Sequence, residues 1–108
     1  MRINCVISVE YTTELGIVVF NKQIPLPFFP REGDKLEFSG ESLTDCIVID
    51  STFCTWSTMA FVSVKTFRDV KAAELMFMME DNWGLEDYNA DLYKLFKGPA
   101  DPPEQTST

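Results

Sequence analysis

The sequence predicts an α+β domain: a small curled antiparallel sheet or partial barrel of five to six strands over about residues 2–67, followed by two C-terminal helices at about 70–83 and 87–97. Three observations predict it. Apolar side chains fall at every second position from the N-terminus. Short β-branched and aromatic runs then follow one another between Gly and Pro punctuation. Near Asp69 the apolar spacing changes from two to the helical three and four. Strands first and helices last indicate helices laid on one face or one open end of a sheet.

Ile3, Cys5, Ile7, Val9 and Tyr11 alternate with Arg2, Asn4, Ser8 and Glu10, which is a half-buried strand. Thr12 to Gly16 reads as a turn, and Ile17 to Ile24 as the returning strand of a hairpin. Pro25, Pro27 and Pro30 cannot donate to a ladder, so this segment lies on an edge or crosses between strands. Gly33-Asp34 turns the chain into a short strand with Leu36 and Phe38 inward, and Ser39-Gly40-Glu41 turns it again. Cys46 to Trp56 and Ala60 to Phe67 are two further strands linked by Ser57 and Thr58. In the second, Val62 and Val64 share one face and Phe61 and Phe67 the other, so both faces are expected to be covered.

The helices follow. Asp69 is the expected N-cap of the first, and Ala72, Leu75, Met76, Met79 and Trp83 form its apolar stripe. Gly84 stands where a C′ glycine ends a helix. The second begins near Asp87, carries Tyr88, Leu92, Leu95 and Phe96 inward, and stops at Gly98-Pro99. Residues 1–98 are expected to form a single domain. Residues 99–108 read as a disordered tail, with prolines and no large apolar residue.

Composition narrows the function. A chain of 108 residues buries roughly two-thirds of its surface without staples. Seventeen acids against nine bases give a net charge of −8, which repels nucleic acid phosphate and anionic membrane surfaces. A basic protein is the complementary partner. Any basic patch hidden under the net charge would draw on Lys22, Arg31 and Lys35. Three cysteines without C-x-x-C spacing, and no apolar h-region in Met1 to Tyr11, point to a reducing, cytoplasmic setting with all thiols free.

Zero histidines exclude Ser-His and Cys-His nucleophile pairs and every His-bearing zinc site. Cys5, Cys46 and Cys54 read as small buried hydrophobes. Five scattered glycines form no phosphate-cradling loop. The stretch Glu80 to Asp87 lacks alternate oxygen ligands leading into Gly84, so the calcium-loop pattern fails. Met76, Met78 and Met79 read as core filling rather than copper ligands. Pro27-Phe28-Phe29-Pro30 contains P-x-x-P, but its two phenylalanines want burial rather than display. No cofactor and no metal is implied.

The acidic stretch survives this weighing. From Glu80 to Tyr93 there are five acids, Glu80, Asp81, Glu86, Asp87 and Asp91, and no base. Glu80 and Asp81 stand at the C-terminal end of a helix, where the macrodipole disfavours them. Trp83 lies among the acids, either as the aromatic centre of a contact surface formed with Glu80, Asp81, Glu86 and Asp87, or tucked into the core. The leading expectation is a non-catalytic interaction module, an inhibitor, immunity-type or accessory protein that binds or blocks a basic protein surface. A small enzyme using two convergent carboxylates is the alternative. A self-assembling homo-oligomeric subunit is the third reading.

Overall fold

In the computed structural model, which describes residues 2–36 and 46–98, the strand β1 (Ile3–Thr13) runs for eleven residues with a strictly alternating burial of its side chains. It turns through Glu14 and Leu15 into β2 (Gly16–Leu26), its antiparallel neighbour over the full length. The strands β3 (Lys35–Leu36), β4 (Cys46–Cys54) and β5 (Met59–Thr66) follow, and β6 (Gly84–Asp87) comes late in the chain. Together they make one curled half-barrel sheet in the order β3-β4-β5-β1-β2-β6. The short 3-10 segment Ala72–Leu75 continues into α1 (Met76–Glu80), and α2 (Ala90–Lys97) closes the described chain.

The α+β class and the C-terminal helices hold, and three details differ from the sequence expectation. The β1–β5 pair is parallel in an otherwise antiparallel sheet. The sixth strand is β6, between the two helices, rather than a strand before residue 68. Asn82, not Gly84, takes the left-handed backbone position after α1, with φ 64. That frees Gly84 to enter the sheet beside Asn21, where an added Cβ would lie 3.0 Å from the Asn21 side chain. The cap residues shift likewise. Lys71 stands at the start of the 3-10 segment with its N–H donating to Glu74 Oε1 at 3.0 Å, and Asn89 caps α2. The expected inward Phe38, the turn at Ser39–Glu41 and the tail 99–108 lie outside the described residues.

The inner face of the sheet is covered in two parts. Toward the β1–β2 turn the helical layer covers it: Leu75, Met78, Leu92 and Phe96 are buried over Val9, Tyr11, Val18 and Phe20. Phe20 meets Tyr11 and Phe96 edge to face, with centroids 6.2 and 5.3 Å away. Toward the other end, the proline segment leaving β2 passes to β3 at the far side of the sheet. Pro30 is fully buried on the way and Phe29 meets Phe53 of β4 edge to face. Gly33 and Asp34 then exchange backbone hydrogen bonds with Val48. The expectation that Ala60–Phe67 is covered on both faces is corrected: Val62 and Val64 are buried, but Phe61 and Phe67 are exposed, because none of the described residues forms a layer on the outer face there. No helix in the described residues is long and apolar enough to cross a membrane.

Side chains of the β1–β2 turn dock the helices. Glu14 Oε1 accepts the Ala72 N–H at 2.8 Å, and that bond holds the Glu14 carboxyl below its usual range. A lowered folded-state value means this support is present at neutral pH and is lost as acid protonates the folded carboxylate. Asn89 serves both layers: its Oδ1 accepts the Leu92 N–H at 2.9 Å, and its Nδ2 donates to the Leu15 carbonyl at 2.7 Å. Gly16, at φ 124, leaves that amide room, since a Cβ there would lie 2.8 Å from Asn89 Nδ2.

Asn89→Ala removes the cap and the turn contact together, and is expected to cost about 1–2 kcal/mol in urea unfolding. Gly16→Ala should cost at least about 1 kcal/mol from its backbone angle and from the clash with Asn89. In the double variant the clash has no partner, so the two losses should sum to less than additive. Full additivity would show that Gly16 and Asn89 act separately.

Candidate functional site

The acidic stretch becomes an edge of the sheet. β6 is the last strand in the order, bonded to β2 on one side with a register shift between Val19 and Phe20. Four residues of β6 include two acids, Glu86 and Asp87, both exposed. Glu86 reaches over the outer face, where its Oε1 accepts from Ser8 Oγ at 2.8 Å and from Asn21 Nδ2 at 3.2 Å. Glu80 ends α1 and Asp91 lies in the first turn of α2, both exposed. Among the described residues, Glu80, Asp87 and Asp91 have no basic partner.

Asp81 and Trp83 have different surroundings. Lys22, on the inner face of β2, donates from Nζ to the Asp81 carbonyl at 2.6 Å, and the ammonium lies 3.4 Å from the Asp81 carboxylate. It also sits 5.8 Å from the centre of the Trp83 ring. A cation on the last carbonyls of α1 is what the helix dipole favours, so Lys22 offsets the acid placed there. Trp83 is 3% exposed and its Nε1 donates to Asp81 Oδ2 at 3.3 Å. The indole therefore lies in the core with Asp81 beside it, while Glu86 reaches over the opposite face of the sheet and Glu80 and Asp87 are exposed.

The sequence signal for this arrangement was Lys22 itself. Between Phe20 and Ile24 the alternation points position 22 inward, and a lone lysine on a core-facing row asks for an acidic partner. The hidden basic patch does not form, since Lys22 on β2 and Lys35 on β3 are separated by the three strands between them.

The other candidate chemistry is dispersed. Among the described residues no group of three or more His, Cys, Asp or Glu side chains gathers around one point. Met78 is fully buried and accepts a contact from the Tyr11 hydroxyl at 3.9 Å. Burial raises the Tyr11 hydroxyl well above its usual range. Cys5 and Cys46 are buried and Cys54 is partly buried, and none of the three is in a disulfide. Burial pushes Cys5 up, while hydrogen bonds from Ser57 and then Trp56 hold Cys54 below the ordinary thiol range. The chain matches no family model, no curated protein and no solved structure.

Lys22→Met should destabilise the fold by about 1–2 kcal/mol, because the Asp81 carbonyl and carboxylate lose their cation together. Asp81→Asn should cost less, since the carbonyl contact and an acceptor for Trp83 both remain. Chemical denaturation of the two variants checks the order, and a larger loss for Asp81→Asn would refute this assignment.

Proposed function

We propose that this chain is a non-catalytic interaction module that binds or blocks a basic protein surface through the β6 edge. The observation that supports the reading is the coincidence of an open strand edge with unneutralised carboxylates. Alternate residues of an edge strand direct N–H and C=O groups away from the sheet, ready for an extended partner. Glu80 and Asp87 carry no base of their own among the described residues, and Glu86 is held only by neutral donors. A basic segment laid along β6 would supply both the missing backbone partners and the missing cations. The acids also bar acidic strands from this edge, so the same groups give affinity and selectivity. Trp83 contributes from beneath, as the packed support of the strand.

Glu80→Lys combined with Asp87→Lys is the clean test, because among the described residues neither side chain has an intramolecular partner to lose. The double variant should fold with an unchanged melting temperature. In quantitative pull-downs from the native host, basic proteins retained by the wild type should fall at least about tenfold, with slower association and a weaker dependence on salt. The same partners at the same yield from both proteins would refute the proposal.

A further inference from the structure

The end of the sheet away from the β1–β2 turn carries an apolar hairpin tip. Residues 51–64, which span the far half of β4, the turn and most of β5, hold no charge in a chain that is 24% charged. Trp56 stands in the turn and is 93% exposed. Phe53 and Phe61 flank it on opposite faces, at 45% and 47% exposure. Phe53 pairs with Ala60, whose side chain is buried on the inner face, and Phe61 pairs with Thr52 on the outer face. Phe28, two residues beyond the Leu26–Ile3 pair, is half-exposed at the same end. The turn itself is tightly held. Ser57 and Trp56 donate hydrogen bonds to Cys54 Sγ, and the Thr58 hydroxyl donates to the Ser57 carbonyl at 2.6 Å. Thr58 holds φ 53, a backbone that a β-branched residue adopts only under constraint.

We infer that this tip inserts into the interfacial layer of a zwitterionic lipid bilayer, with Trp56 at its apex. Shape, polarity and charge choose this occupant. Rings at the apex and on both faces of one hairpin need an environment on every side at once. A fluid interface surrounds a projecting tip in that way, whereas a pocket in a protein takes a ring from one direction. Hydrogen bonds already closed within the turn lower the cost of leaving water. An indole with one apolar body and one polar N–H suits the headgroup level. Charge is arranged along the strands. Asn4 is level with Met59 in the parallel pair, so the exposed Arg2 stands beside the turn, where its guanidinium reaches toward lipid phosphate. Along the strands that meet at the tip the first acids are Asp50, about 13 Å up β4 from Cys54, and Glu10, about 20 Å up β1 from Asn4. Both distances exceed the screening length of about 8–10 Å. The acids behind the net charge of −8 on those strands are thus held back from the tip, and zwitterionic headgroups present no net charge to oppose them. Insertion is confined to the tip and leaves β6, which pairs with Val19 to Asn21, in water.

Titration of the full chain with phosphatidylcholine vesicles tests this. The emission of the exposed Trp56 should shift to the blue as lipid is added, and lipids brominated on their acyl chains should quench it, while the buried Trp83 keeps its emission. In vesicle flotation, Trp56→Ala should lower the partition coefficient at least about tenfold, with an unchanged circular dichroism spectrum. Phe61→Ser should lower it also. Phe67→Ser removes an exposed ring from the other end of β5 and should leave binding as tight as in the wild type. No binding to the vesicles, Trp56→Ala bound as tightly as the wild type, or an equal loss in Phe67→Ser would each overturn the inference. A blue shift that grows with protein concentration in the absence of lipid would overturn it too, since the ring would then be covered by another protein molecule.

Discussion

The length of β1 against the length of its cover is the constraint from which the rest of this structure follows. Eleven residues of strand extend about 36 Å. The 3-10 segment with α1 reaches only about 15 Å, and α2 about 12 Å. One helical layer cannot keep water from a row that runs from Ile3 to Thr13. The chain meets the shortfall with the proline segment after β2, whose Phe29 and Pro30 cover what the helices leave. Prolines suit that task because a crossing segment has no ladder to feed, so the missing N–H groups cost nothing.

The two covers also decide where the surface is unfinished. The proline segment rejoins the sheet at Gly33, bonds to Val48 and supplies only a two-residue β3, so that among the described residues the far half of β4 has a backbone partner on one side only. The helical layer has to return from the end of α1 to the β1–β2 turn before α2 can begin. That return is β6, which pairs with β2 on the way and becomes the other edge. The two edges differ in chemistry. One carries the adjacent acids Glu86 and Asp87, and the other carries a single acid, Asp50, followed by uncharged residues and the exposed Phe53 ring. Lys22 links core and edge, since it anchors the end of α1 from the row that the helices cover.

The alternation of β1, the hairpin, the crossing proline segment and the switch to helical spacing were legible because each is a local pattern tied to one periodicity or one backbone restriction. β6 was not. Gly-Leu-Glu-Asp is too short to show alternation, and Gly84 at the end of an apolar helical stripe carries the signature of a helix stop. The residue that takes the left-handed position is Asn82, which tolerates it almost as well. Strand order was out of reach for a different reason. The parallel pairing of β1 with β5 joins segments separated by the whole middle of the chain, and neither run's pattern names its neighbour. In the acidic region the cluster of charge was visible, and so was the choice for Trp83 between display and burial. The Lys22 that stands beside its ring and at Asp81 is brought there only by the folded sheet.

The claim that two separate covers protect one long strand is tested most directly by hydrogen exchange along β1. With ladders on both sides from Cys5 to Glu10 and its inner face covered, β1 should exchange slowly over that stretch, every amide opening only with global unfolding. Fast exchange at Cys5 to Ile7 beside slow exchange at Val9 and Glu10 would contradict the account, because it would show that the proline segment lies over the sheet without protecting it.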